Sequence, residues 1–279
     1  MFYLVHDDVE LANEAFLKAQ TLDSDYALAW VGQGLAATAN GHDREANALF
    51  EHATGLTSVV PEADLEHATR LFRRANAATT SRAASADALL PAFFVLDRYC
   101  RTRPQDAGAL HLFGLVCERV GHVELGIDVL ASAIAVLEAA YEETEDPAIE
   151  RRFATAHVNI ARLRLAVEDF AGALESYEVA TGLLPEQPEE GEGASEAEAR
   201  SETRALLAQC QFGSGLANFK LGQLPEALAL FEAAMATAGD DAAIRGHVVV
   251  LVAQTLWAIG SDEAKESAKS QLLQRCVPG

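Results

Sequence analysis

Basic residues are scarce in this chain: 21 Lys and Arg stand against 42 Asp and Glu among 279 residues, a formal charge of −21. That balance argues against direct binding to nucleic acid or to an anionic membrane, both of which call for a basic surface. Aromatics are few as well, at 7 %, whereas a β-rich protein would want more aromatic and β-branched residues. No run of about 18 uncharged apolar residues occurs, so no transmembrane helix is expected. Met1 to Asp8 carries acidic residues and no basic flank before an apolar stretch, unlike a secretory signal. Cysteine is limited to Cys100, Cys117, Cys210 and Cys276, with no CxxC pair and no zinc-knuckle spacing. These four read as small core residues in a reducing compartment. The expectation is a soluble intracellular protein, cytoplasmic, with the nucleus as the alternative.

What the chain does have is alanine and a period. Half of its residues are hydrophobic, enough to bury a sizeable core in one large domain or two small ones. Ala12, Phe16 and Ala19 recur 34 residues later as Ala46, Phe50 and Ala53. The same spacing returns at Ala173, Tyr177 and Ala180, and at Ala227, Phe231 and Ala234. A small residue stands twelve positions before three of these triplets, at Gly34, Ala161 and Gly215. Turn glycines stand five before the first Ala in two of them, at Gly41 and Gly222. Trp30 opens the pattern, and Pro104 and Pro185 close it after Ala92 and Ala173.

This pattern resembles the tetratricopeptide (TPR) repeat, in which two antiparallel helices form one unit. Small residues at the eighth and twentieth repeat positions let the two helices approach, and the large residue at the twenty-fourth fills the space between them. The resemblance implies an all-α fold, a right-handed superhelix of about seven helical hairpins, because each hairpin leaves an apolar face that only the next can cover. The approximate repeats are residues 1–24, 25–59, 60–105, 106–145, 150–185, 201–238 and 241–277. The first lacks most of its first helix, and the chain opens on Phe2, Tyr3, Leu4 and Val5 where a polar cap is expected. A fragment of a longer protein or a truncated gene model is the expectation. In the irregular third repeat, helices are expected at Glu62–Ala77 and Ala86–Arg101, with Pro91 in the first turn of the second or kinking it.

Between the fifth and sixth repeats, residues 186–200 read EQPEEGEGASEAEAR, with six Glu and one Arg. This is expected to be a mobile acidic loop, either a solvated insertion or a lure for a basic partner. Motifs for chemistry are missing. There is no GxxxxGK[ST], no GxGxxG after a strand and no HExxH. His111, Cys117 and His122 are close in sequence, but spacings of six and five do not set all three on one helix face. Gln211-Phe212-Gly213-Ser214-Gly215 lacks the first Gly of a nucleophile elbow and falls in a helical pattern. No catalytic residue, cofactor-binding residue or metal ligand is expected.

TPR arrays bind peptides along a groove lined by first-helix positions two, five, nine and twelve. In the second repeat these are Leu28, Val31, Leu35 and Thr38; in the fifth, Thr155, Val158, Arg162 and Leu165; in the sixth, Gln209, Phe212, Leu216 and Phe219. Chaperone-binding TPR domains place Lys, Asn and Arg there to clamp a C-terminal carboxylate, and that set is missing. A face centred on Val31, Leu35, Phe212, Leu216 and Phe219 is the candidate protein-binding surface. The alternative is that tight curvature buries part of it within the array.

A closer resemblance rests on Glu10 to Ala37, with the run Trp30-Val31-Gly32-Gln33, followed by Pro61-Glu62-Ala63. These segments look like the TPR subunit of the superkiller complex, and the likeness continues loosely to Cys276. The acidic insertion and the missing N-terminal repeats depart from that pattern. The resemblance implies a non-catalytic scaffold whose partners are a DExH RNA helicase and WD-repeat propeller subunits. Such an assembly assists the cytoplasmic exosome in 3′-to-5′ mRNA decay, and the helicase, not the solenoid, handles RNA. The competing function is an independent TPR adaptor or co-chaperone that captures short peptides.

Overall fold

A computed structural model describes the chain except for residues 1, 7, 57–59, 79–81, 145, 185–193, 239–241 and 277–279. The described residues form fourteen α-helices and no strand. They fall into two compact units, Met1–Val129 and Leu130–Gly279.

The first unit holds α1 (Phe2–Val5), α2 (Val9–Leu22), α3 (Ala27–Ala39), α4 (Asp43–Gly55), α5 (Pro61–Ala77), α6 (Arg82–Thr102), α7 (Ala107–Val120) and the start of α8 (Val123–Thr144). Sequence chemistry marks the helix starts. Asp8 and Asp106 accept from the backbone N–H of Leu11 and Ala109, while Pro61 opens α5 where its missing N–H costs nothing. Gly41 and Gly121 end α3 and α7 in the left-handed conformation. At Gly34 the backbone of α3 lies so close to α4 that a Cβ there would come within 2.8 Å of Phe50 Cζ. Phe50 is fully buried with Ala46 and Ala53, as the repeat spacing predicts.

Pro91 lies in the interior of α6, which starts well before the expected Ala86, so it is not in a first turn. It is exposed, and so is Asp87, whose carbonyl loses its helical partner to the proline ring. Polar links tie the first unit across its hairpins. Arg70 on α5 pairs with Asp43 at 3.3 Å and Glu66 at 3.1 Å, bonds Thr38 and lies 5.1 Å above the Phe50 ring. The Tyr99 hydroxyl donates to Asp106 at 2.8 Å, and burial, then that bond, push its pKa up to about 12.

The second unit continues from α8 through α9 (Pro147–Ala166), α10 (Phe170–Leu183), α11 (Ala194–Leu221), α12 (Leu224–Ala238), α13 (Ala242–Ile259) and α14 (Asp262–Cys276). Each pair forms a hairpin, and α11 also packs on α10 and α9. The core of the fifth repeat is Ala161, Ala173, Tyr177 and Ala180 with Cys210 from α11; that of the sixth is Ala227, Phe231 and Ala234 with Val248 and Val252 from α13. Part of the acidic stretch, residues 186–193, lies outside the described residues. Its remainder, from Ala194, forms the first turns of α11.

Cys100, Cys117 and Cys210 are buried, and desolvation pushes their thiols up to about 12, 12 and 11. They stay protonated and unreactive near neutral pH. Among the described residues no group of three or more His, Cys, Asp or Glu gathers that could hold a metal ion, and no helix is long and apolar enough to cross a membrane.

Candidate protein-docking pocket

The groove positions of the fifth and sixth repeats converge on one open pocket of about 420 Å³ in the second unit. Six of the eight line it: Val158, Arg162 and Leu165 from α9, and Gln209, Phe212 and Leu216 from α11. The helical period explains the convergence, because residues spaced by four and three fall on one face of each helix. Tyr177 of α10, Ala166 and Gly213 complete the lining.

Sequence reasoning assigned Tyr177 to the hairpin interior, and it is only 3 % exposed. Its pocket role depends on Gly213, where any Cβ would overlap the Tyr177 ring and hydroxyl. The signal was present: Tyr177 alone among the four triplets carries a hydroxyl where the others have Phe. Burial pushes its phenol pKa up, so it remains a hydrogen-bond donor. Arg162 is the one charged residue in the lining and donates to Asn159 Oδ1 at 3.3 Å.

The other proposed contact residues fare differently. Val31 is 3 % exposed and sits in the core cluster of the first unit with Phe50 and with Ala63 from α5. The first helix of the next hairpin covers it, so it is no docking surface. Leu35 is half-buried against the same cluster. Phe212, Leu216 and Phe219 are half-buried against the core of the sixth repeat, with Phe212 in ring contact with Phe231 at 6.1 Å. Phe212 and Leu216 also reach the pocket; Phe219 is not part of its lining. As for the dismissed motifs, Cys117 is fully buried, His122 lies 5.3 Å from the Phe93 ring, and Gly213-Ser214-Gly215 is helical within α11.

Solved structures decide the fold. YrrB, a TPR protein with an unusual peptide-binding site, superposes over 85 % of this chain and 98 % of its own at a TM-score of 0.55 and 14 % identity. A chain of the Cut9–Hcn1 hetero-tetramer of APC/C aligns over 91 % of this chain and 41 % of its own, with a TM-score of 0.51 and 14 % identity. The fold is the TPR solenoid. No family model matches the sequence.

Among curated proteins, superkiller protein 3 of Schizosaccharomyces pombe is 29 % identical over 245 residues, which covers 88 % of this chain and 16 % of that protein. Superkiller protein 3 of Saccharomyces cerevisiae is 24 % identical over 277 residues, covering 98 % of this chain and 18 % of its own length. The human superkiller complex protein 3 is 27 % identical over 185 residues, 63 % of this chain and 11 % of that protein. The TPR chain thus resembles superkiller protein 3 along most of its own length while spanning less than a fifth of either yeast relative.

Proposed function

We propose that this TPR chain is a non-catalytic scaffold segment of a superkiller complex, which assists the cytoplasmic exosome in 3′-to-5′ mRNA decay. The observation that supports it is the 29 % identity to a superkiller protein 3 over 88 % of the chain. Its partners in this reading are the DExH RNA helicase and the WD-repeat propeller subunits, reached through protein contacts alone. A charge of −21 fits a role in which the helicase, and not the solenoid, handles RNA.

The test is to tag the protein in its source cells, purify it and identify what copurifies. Helicase and propeller subunits are the expected result; chaperones in their place would establish the co-chaperone reading. Arg162→Glu and Gln209→Trp alter exposed pocket residues without touching the core. Loss of a partner from these variants, with helicity retained, assigns that partner to the pocket. A second reading, an adaptor for short peptides, draws on the pocket itself, but the lining lacks the Lys and Asn of a carboxylate clamp.

A further inference from the structure

Helix α6 turns Leu89, Ala92 and Leu96 to the core, all fully buried, and its opposite face lies in solvent. That face is apolar at its centre: Leu90 is 42 % exposed and Phe94 is 66 % exposed, one helical turn apart. The patch extends onto the first turns of α8. Phe94 meets Phe93 edge-on at 5.5 Å, Phe93 lies 5.3 Å from His122, and Leu125, 40 % exposed, follows one turn later. Since α5 and α7 both pack against α6, a further hairpin of the same array has no place over this face. Nor is it the inner groove, because α6 is the second helix of its hairpin. A contiguous exposed apolar surface of this kind marks a contact site.

The charges around the patch define what covers it. Asp87 and Glu124 stand within one turn of Leu90 and Leu125, and no described residue pairs with either. The basic side chains that follow on α6 are already engaged, Arg98 with Asp64 and Arg101 with Asp97 at 3.0 Å. Helix α8 contains no Lys or Arg at all. Pro91 also removes the N–H that would bond the Asp87 carbonyl, so the rim offers a backbone acceptor beside its carboxylates. The rim is negative and accepts hydrogen bonds, and a second copy of a chain of net charge −21 is repelled from it.

We propose that the outer face of α6 and the start of α8 docks an amphipathic helix of a partner protein, apolar along one stripe and rich in Lys and Arg beside it. Leu90 and Phe94, four residues apart, form a ridge against which the i and i+4 side chains of such a helix pack. Its cations pair with Asp87 and Glu124. Phe94, the most exposed of the group, is the anchor. The surface uses residues of the first unit only, and the proposal does not depend on the superkiller reading.

The experiment uses the whole chain at physiological salt and three fluorescein-labelled peptides on an alanine-rich helical background. One has Leu and Phe along one stripe with Lys beside it. The second has the same residues shuffled around the helix, and the third has Glu in place of Lys. The shuffled peptide is needed because any polycation is drawn to a chain this acidic. Fluorescence anisotropy is expected to show the first peptide binding about tenfold more tightly than the other two. Phe94→Ser should cut that affinity about tenfold, with an unchanged melting temperature because the ring is exposed. Leu90→Ser, made separately, should act in the same direction. Asp87→Asn/Glu124→Gln should weaken the first peptide and flatten its salt dependence. Equal binding of the first two peptides, binding of none, or an affinity that survives Phe94→Ser overturns the proposal. So does sedimentation of the parent chain as a dimer that Phe94→Ser converts to a monomer, which would make a second copy the occupant. None of these outcomes touches the scaffold reading, which stands or falls on copurification of the helicase and propeller subunits.

Discussion

Arg98 on α6 holds the Asp64 carboxylate of α5 with two guanidinium nitrogens, its Nε 2.8 Å from Oδ2 and its second nitrogen on Oδ1. Asp64 is 1 % exposed, and the same Arg98 nitrogen reaches the Thr54 carbonyl of α4 at 3.4 Å. One side chain therefore joins three helices of the first unit. Removing it leaves a carboxylate buried without its counter-charge, whereas removing both groups leaves only an apolar contact. Arg98→Met should destabilise the first unit by about 2–3 kcal/mol, less than a fully buried pair because Arg98 is half-exposed. The double variant Asp64→Leu/Arg98→Met should recover much of the loss. Urea unfolding followed by circular dichroism measures both, and equal stability of the single variant and the parent chain would refute the argument.

Gly34→Leu tests the repeat register. A Cβ at residue 34 already comes within 2.8 Å of Phe50 Cζ, and Phe50 is fully buried between α3 and α4, so it cannot swing aside. Overpacking of this kind costs about 1–3 kcal/mol. The melting temperature should fall by several degrees. A variant that melts with the parent chain would show that residues 34 and 50 do not face each other.

The contrast between Phe50 and Val31 shows what the sequence could and could not reveal. Ala46, Phe50 and Ala53 are fixed by spacing along one helix, and the 34-residue period carries the same argument to Ala227, Phe231 and Ala234. Even the Asp64–Arg98 pair is 34 residues apart, one repeat, and so was available to a search for charges in register. The period also places Val158, Arg162, Leu165, Gln209, Phe212 and Leu216 on facing sides of α9 and α11, where they line one pocket. What spacing cannot supply is how far the following hairpin closes over a face. Val31 occupies the same repeat position as Phe212, yet it packs with Ala63 in the core while Phe212 reaches the pocket. The start of α11 was hidden for another reason: Glu and Ala are good helix formers, so an acidic stretch that reads as a loop can also begin a helix.

His67 predicts an acid-sensitive first unit. It is 6 % exposed on α5, and its Nδ1 has no hydrogen-bond partner. Desolvation holds its pKa below the usual histidine value, helped by Arg74 and opposed by Glu51 and Asp64. The unfolded chain therefore binds a proton near pH 6.5 that the folded chain resists. This stabilising contribution is complete above about pH 6.5 and is lost progressively as the pH falls from there through the lowered pKa of the folded chain. His157 on α9, lowered by burial and by Arg164, acts in the same direction in the second unit. Urea midpoints should drop between pH 7.5 and pH 5, and His67→Gln should drop less than the parent chain. Comparing the two removes the effect of acidification on the large net negative charge. Parallel pH profiles would mean that His67 takes up its proton without penalty.

Glu168 is the one described non-glycine residue with a positive φ, at 63°. It stands at the turn between α9 and α10, where four other hairpins carry Gly41, Gly121, Gly222 and Gly260 with φ between 73° and 95°. The left-handed region costs an L-residue with a Cβ about 1–2 kcal/mol, and glycine almost nothing. The exposed Glu168 side chain gives little in return, and the turn is closed by the backbone, with Asp169 N–H donating to the Arg164 carbonyl at 2.9 Å. Glu168→Gly keeps that bond and relieves the strain. Against this, glycine widens the unfolded ensemble by a contribution of about 0.4–1 kcal/mol. The strain is the larger of the two, so the second unit should gain about 0.5–1 kcal/mol and melt a few degrees higher. Glu168→Val should move the opposite way, since a β-branched residue tolerates positive φ least. A glycine variant less stable than the parent, or a valine variant equal to it, would show that residue 168 is not held in the left-handed conformation in solution.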